Sequence, residues 1–145
     1  MALLCFDAMA FQNPPDATIR EILAHPKRIA VIGCSADPSR DSHQIAKLLI
    51  HLGHDVVPVN PEAAAILGRE CYSSLADVPG AVDMVDVFRR SEHVAEIVEQ
   101  AIDKRVKIVW TQLGVGDEAA AARAEAAGLT VVMDRCVAIE YRRLF

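Results

Sequence analysis

The stretch Gly33-x-Ser35-x-x-Pro38-x-Arg40-x-Ser42 sets a glycine, two hydroxyls and a guanidinium in one short loop. All are suited to an anion. Gly33 lets the chain turn sharply and keeps side chains away from a ligand. Ser35 and Ser42 can donate hydroxyl hydrogen bonds to phosphate oxygens, Arg40 offers a charged fork, and Pro38 stiffens the loop. An apolar run, Ile29–Ile32, precedes it, and residues at helical spacing follow. Strand, glycine loop and helix in that order point free backbone N–H groups at one spot, where the helix dipole favours an anion. The same residues would also make an ordinary strand-to-helix turn, so the loop suggests a phosphate without identifying what carries it.

The elements that must hold this loop can be read from periodicity. Asp16–Ala24 is expected to be a short helix capped by Asp16 and stopped by His25-Pro26. A helix starting near Asp41 or Ser42 should carry Ile45, Leu48, Leu49 and Leu52 on one face, with Asp41 and Gln44 resembling a capping box. Strands are expected over 55–60, 82–88, 106–113 and 129–134. Helices are expected from Ser91, as a cap, to Lys104 and Arg105 at the end, and over 117–127. Between the second and third of the long strands, Ala63–Leu67 reads as a helical turn, Glu70–Tyr72 as a short edge strand and Ser73–Val78 as a short helix. The tail after Asp134 shows little pattern. Continuous apolar runs alternating with helices mark strands buried on both faces of a parallel sheet. The expected class is therefore α/β: a Rossmann-like, doubly wound, mainly parallel sheet of about five strands with helices on both faces. Residues 1–15, ending in Asn13-Pro14-Pro15, read as an N-terminal arm before a single domain over 16–145.

Composition narrows the partners. The chain has 145 residues, 52% hydrophobic and 24% charged, enough for one well-packed core. A net charge of −5 argues against nucleic acid. No apolar stretch approaches a membrane span, and the start lacks the basic region of a secretory signal, so a cytoplasmic protein is expected. Cys5, Cys34, Cys71 and Cys136 form no CxxC pair, which suits free thiols. The five histidines fall in no metal-ligand spacing, no nucleophilic triad is evident, and Trp110 reads as core. Asp134 with Arg135 reads either as a base beside an anion site or as a structural ion pair.

A dinucleotide site would need GxGxxG in the first turn and an acidic residue ending the second strand. Here Gly33 stands without the other glycines, and the second strand ends in Asn60-Pro61. Both failures weigh against NAD. The chain instead resembles the CoA-binding family of small stand-alone proteins, and is similar to the CoA-binding domain of the succinyl-CoA synthetase alpha subunit. The resemblance rests on the Gly33–Ser42 loop, Pro58-Val59-Asn60-Pro61, Gly68-x-x-Cys71-Tyr72-x-Ser74-Leu75, Val85-Asp86-Val87-Phe88-Arg89-Arg90, Val109-Trp110-x-Gln112-Leu113-Gly114 and Val132-Met133-Asp134-Arg135-Cys136.

The resemblance implies coenzyme A as ligand. Gly33, Cys34, Ser35, Arg40 and Ser42 would meet its phosphates, with Pro38 shaping the loop. Asn60 and Pro61 would lie at the nucleotide end, Phe88 and Arg89 would stack on adenine or pair with phosphate, and Gln112 and Gly114 would face the pantetheine. Cys34 and Cys136 are candidates for a mixed disulfide with the CoA thiol, against the alternative of buried, inert thiols. The leading reading is a protein that binds CoA or acyl-CoA without catalysis of its own. The alternatives are a CoA-linked transferase or ligase component acting with a partner chain, an NAD(P)-binding oxidoreductase, and a regulatory module that uses the fold without ligand. A homodimer and a separate protein partner both remain open.

Overall fold

Five parallel strands carry the molecule in the computed structural model, which describes residues 10–145. The elements are α1 (Asp16–Ala24), β1 (Arg28–Ile32), α2 (Asp41–His51), β2 (Asp55–Val59), β3 (Ala65–Ile66), β4 (Arg69–Glu70), β5 (Met84–Val87), α3 (Val94–Asp103), β6 (Ile108–Thr111), α4 (Glu118–Ala126), β7 (Thr130–Val132) and α5 (Val137–Leu144). The main sheet runs β2-β1-β5-β6-β7, all neighbours parallel. The chain adds β2 on one side of β1, then returns to build outward on the other. That reversal opens a crevice at the carboxyl ends of β1 and β5, where ligands of doubly wound sheets bind.

Period-two alternation sorts the core. Ala30, Ile32, Val85, Val87, Val109 and Val131 face α3 and α4, which contribute Val94, Ile97, Val98, Ala101, Ala120, Ala121 and Ala124. Ile29, Val31, Met84, Trp110 and Val132 face α1, α2 and α5. Both faces are covered, which is why these strands read as unbroken apolar runs. Trp110 is fully buried and donates from Nε1 to the Arg135 carbonyl at 2.9 Å, as a core residue with one polar end. No helix among the described residues is long and apolar enough to cross a membrane.

Several local expectations fail for identifiable reasons. Ala63–Leu67 is not helical. Ala65–Ile66 pairs antiparallel with Arg69–Glu70 around a turn in which Leu67 and Gly68 both have positive φ, 53° and 74°, as a tight hairpin requires. Of the expected edge strand Glu70–Tyr72, Glu70 belongs to that hairpin and Tyr72 makes a single bridge to Val59. Asp16 does not cap α1; its carboxylate pairs with Arg143 of α5 at 2.8 Å. Ser91 does not cap α3; it lies in a 3-10 turn, and its hydroxyl accepts from the Gly116 N–H at 3.0 Å. The tail, read as having little pattern, forms α5. Val137, Tyr141 and Leu144 make its inner stripe, and a buried Glu140 interrupts the apolar signal. Residues 1–9 of the expected arm lie outside the described residues. Further along it, Phe11 packs on the core, and Asn13 pairs with the Met133 backbone through both ends of its side-chain amide, at 3.0 and 2.7 Å.

Candidate functional site

Three strand ends are tied together beneath the Gly33 loop. The N–H groups of Gly33 and Cys34 both donate to the Val59 carbonyl, at 2.9 and 3.3 Å, and Phe88 N–H donates to Ile32 at 2.8 Å. Gly33 has φ +83°. A Cβ there would lie 3.0 Å from the Phe88 carbonyl oxygen and 3.1 Å from Arg89 Cδ. Glycine is thus required twice, by the left-handed backbone and by the close approach of the loop after β5.

The loop braces itself while keeping donors free. Ser42 Oγ accepts from Ser35 N–H at 2.9 Å, and Ser35 Oγ accepts from Asp37 N–H at 3.0 Å. Each hydroxyl still has its own proton to donate. His43 Nδ1 lies 2.9 Å from the Ser35 carbonyl, a bond that places a proton on Nδ1. Asp37 accepts from the Ser39 N–H and hydroxyl, which hold its carboxyl below the usual range. The expected capping box of α2 does not form. Arg40 is the N-cap without a side-chain cap bond, and Gln44 Nε2 donates to the Pro38 carbonyl instead. Among the described residues, the N–H groups of Asp41 and Ser42 and the guanidinium of Arg40 have no hydrogen-bond partner. An anion is what such a helix start lacks.

The residues expected at the site divide among three concavities. Gly33, Ser35, Arg40, Ser42 and Phe88 line a cleft of about 360 Å³ at the start of α2. Gly33, Ser35, Asn60, Pro61 and Arg89 line a groove of about 560 Å³ between the end of β2 and α3. Phe88 and Gln112 line an apolar cavity of about 450 Å³ between α2 and α5. Phe88 and Arg89, adjacent in sequence, therefore serve different faces of the sheet, as extended-chain alternation dictates. Phe88 does not line the groove that holds Asn60 and Pro61. Asn60 is a brace: its Nδ2 donates to the Cys34 carbonyl at 2.9 Å, and its Oδ1 accepts from Glu62 N–H at 2.8 Å.

Three expected residues present no side chain or free donor to these concavities. Cys34 is fully buried, and burial pushes its thiol up to about 12, which makes it inert as a nucleophile at neutral pH. Pro38 is exposed on the loop. Gly114 N–H is taken by Asp134 Oδ1 at 2.7 Å. That bond also settles Asp134 as a clamp between loops, while Arg135 pairs with Glu140 at 3.2 Å. Cys136 does line the apolar cavity.

Sequence reasoning missed other residues of the site. Ser73, Ser74, His93 and Glu96 line the large groove. His93 Nε2 lies 3.2 Å from an Arg89 amino group, at the four-residue separation visible in the sequence. Asp86 is fully buried in β5. Its Oδ1 accepts from Gln112 Nε2 at 2.7 Å, its Oδ2 has no partner, and desolvation pushes its carboxyl up to about 7 despite that bond. A lone carboxyl within Met84-Val85-Asp86-Val87 was the available signal.

Residues 27–142 match the family model described as a CoA binding domain. The uncharacterized protein YneT of Bacillus subtilis (strain 168) is 39% identical over 130 residues, covering 90% of this chain and 96% of that protein. A solved structure of a hypothetical protein from Pyrococcus horikoshii OT3 is 41% identical with a TM-score of 0.87, covering 92% of this chain and 96% of that one. The alpha subunit of acetate–CoA ligase (ADP-forming) I from Pyrococcus furiosus is 36% identical over 95 residues, which are 61% of this chain and 21% of that subunit. With the family match spanning the whole sheet and the loop at its switch point, this chain belongs to the CoA-binding domain family.

Proposed function

We propose that the protein binds coenzyme A or an acyl-CoA and performs no catalysis of its own. The diphosphate lies over Gly33 at the start of α2, where it receives the N–H groups of Asp41 and Ser42, the hydroxyls of Ser35 and Ser42, and the Arg40 guanidinium. The nucleotide end occupies the large groove beside Pro61, with Arg89 and His93 placed to meet the ribose phosphate. The pantetheine runs toward Gln112. The observation that carries this reading is the convergence of unpaired donors at one cleft, in a chain of this family. The free thiols of Cys34, Cys71 and Cys136 suit a reducing compartment, consistent with a cytoplasmic location.

Calorimetry tests it directly. CoA should bind and NAD should not. Arg40→Ala should weaken CoA by about 1.5–3 kcal/mol, the range for a hydrogen bond to a charged group. Unchanged CoA affinity in that variant rejects the assigned role of Arg40, and tighter binding of NAD than of CoA rejects the ligand.

The match to a ligase alpha subunit supports a second reading, in which the chain presents CoA to a partner that supplies the remaining chemistry. Acyl-CoA formation that requires both chains would favour it.

A further inference from the structure

Among the described residues, the buried side-chain atom left without a hydrogen-bond partner is Oδ2 of Asp86, in the middle of the sheet. Strand alternation puts Asp86 on the face of Met84 and Phe88, against α1, α2 and α5. Few ionisable groups turn inward there. α1 packs Ile19, Ile22 and Leu23. α2 brings His43, held on the Ser35 carbonyl, and Asp41 at the cavity beside it. α5 brings Tyr141 and Glu140, the latter paired with Arg135 and Arg143. The loops after β1, β4 and β7 bring Cys34, Cys71 and Cys136. The hydrogen bond that the Asp86 carboxyl does make is to Gln112.

Gln112 ties this carboxyl to the ligand site. Its Nε2 donates to Asp86 Oδ1 at 2.7 Å, and its side chain lines the cavity that shares Asp41 and Phe88 with the phosphate cleft. Turned over, the same amide would offer Oε1 at that place, and only a protonated Asp86 can donate to it. A separation of 2.7 Å suits N–H···O and O–H···O bonds alike. Asp86 is also within electrostatic reach of the loop: burial first, then Cys71 and Asp86, raises the thiol of Cys34, which stands between Gly33 and Ser35 of the cleft. An anion seated there disfavours a negative charge beside it. Burial already pushes the Asp86 carboxyl up to about 7 against the Gln112 bond. Protonation also eases the orphaned Oδ2, since a neutral oxygen without a partner costs less than a charged one.

We propose that Asp86 is a proton-linked positioning residue: seating an anionic ligand draws one proton from solvent onto its Oδ1, the Gln112 amide turns over to accept from it, and affinity falls as pH rises. The proposal rests on the CoA reading above and adds to it how that site is regulated.

Calorimetry with CoA on the native protein and on Asp86→Asn tests it. The phosphates of CoA and the histidines titrate alike in both, so the ratio of the two affinities isolates Asp86. If binding raises its pKa by about one unit, the ratio of native to variant affinity should fall about eightfold between about pH 6 and about pH 9. Carbon NMR of the Asp86 carboxyl in the native protein reads the proton itself. At about pH 8 the protonated fraction should rise from about a tenth to about a half when CoA is added, and the Gln112 side-chain NH2 resonances should move with it. A ratio that stays constant across this range overturns the proposal while leaving CoA binding intact. An Asp86 carboxyl that CoA does not change, or Gln112 resonances that stay fixed, does the same. Failure of CoA to bind at either pH removes the underlying reading, and the proton step with it.

Discussion

Charge is handled differently at two places in this molecule. Where α1 meets α5, Arg143 holds both carboxylate oxygens of Asp16 at 2.8 Å and reaches Glu140 at 2.9 Å, and Arg135 approaches the same Glu140 at 3.2 Å. Arg20 lies 4.6 Å above the ring of Phe145, which stacks on Tyr141. At the carboxyl ends of β1 and β5, among the described residues, Arg40 has no acidic partner, Arg89 has His93 as its hydrogen-bond partner, and one oxygen of the buried Asp86 has none. The first region closes the fold by neutralising its charges internally. In the second, charge is left unmatched beside free helix N–H groups. Under the reading proposed above, these unmatched groups are the ones an anionic ligand meets.

The largest test of this contrast is Asp86→Asn. Burial raises the folded pKa of Asp86 from the ordinary 3.8 to about 7. The folded state therefore binds the proton more tightly than the unfolded chain. The associated stability is fully present below about pH 4 and is lost as pH rises through about 7. At pH 8 the asparagine variant should exceed the native protein by about 2–4 kcal/mol in urea unfolding, and the gap should narrow as pH falls below 7 and close near pH 4. His54, whose pKa burial lowers, loses stability in the opposite direction, as pH falls, and cancels because both proteins carry it. A pH-independent gap would show that Asp86 is matched after all.

Asp86 also illustrates how much of the molecule was legible in its sequence. The sheet was legible because β1, β2, β5, β6 and β7 are buried on both faces, and that condition writes itself as continuous apolar runs. The turn at Gly33 was legible because a lone glycine stands between an apolar run and a helical repeat, and its φ of +83° favours that residue. The helix caps were not. Asp16, Asp41 and Ser91 have the residue types of caps, but Asp16 and Ser91 are engaged by partners distant in sequence, Arg143 and Gly116. At α2 the brace is Gln44 on the Pro38 carbonyl. Tertiary partners of this kind leave no local trace. The split between Phe88 and Arg89 follows from strand alternation alone. The importance of Gln112 and Asp86 to each other depends on register across β5 and β6, which no single stretch records.

Arg143→Ala probes the settled region. It leaves Glu140, only 3% exposed, with Arg135 alone and frees Asp16. Arg143 itself is half exposed, so solvent screening reduces the loss below that of a fully buried pair. The urea-unfolding midpoint should fall, with α1 loosening from α5, while CoA affinity stays as in the native protein. Loss of CoA binding in this variant would mean that the two regions are coupled rather than separate.

The smallest expected effect is the most telling. Arg40→Ala and Arg89→Ala remove exposed guanidinium groups with no acidic partner, so without ligand each should change stability by less than about 0.5 kcal/mol. In the presence of CoA the same variants should lose much of the ligand-induced rise in melting temperature, because binding to the native state alone stabilises in proportion to affinity. The contrast with Arg143→Ala is then complete in both directions: one arginine matters to the fold and not to the ligand, two matter to the ligand and not to the fold. Should Arg40→Ala destabilise the apoprotein as much as Arg143→Ala does, its guanidinium is structurally engaged, and the unmatched charge that distinguishes the site is absent.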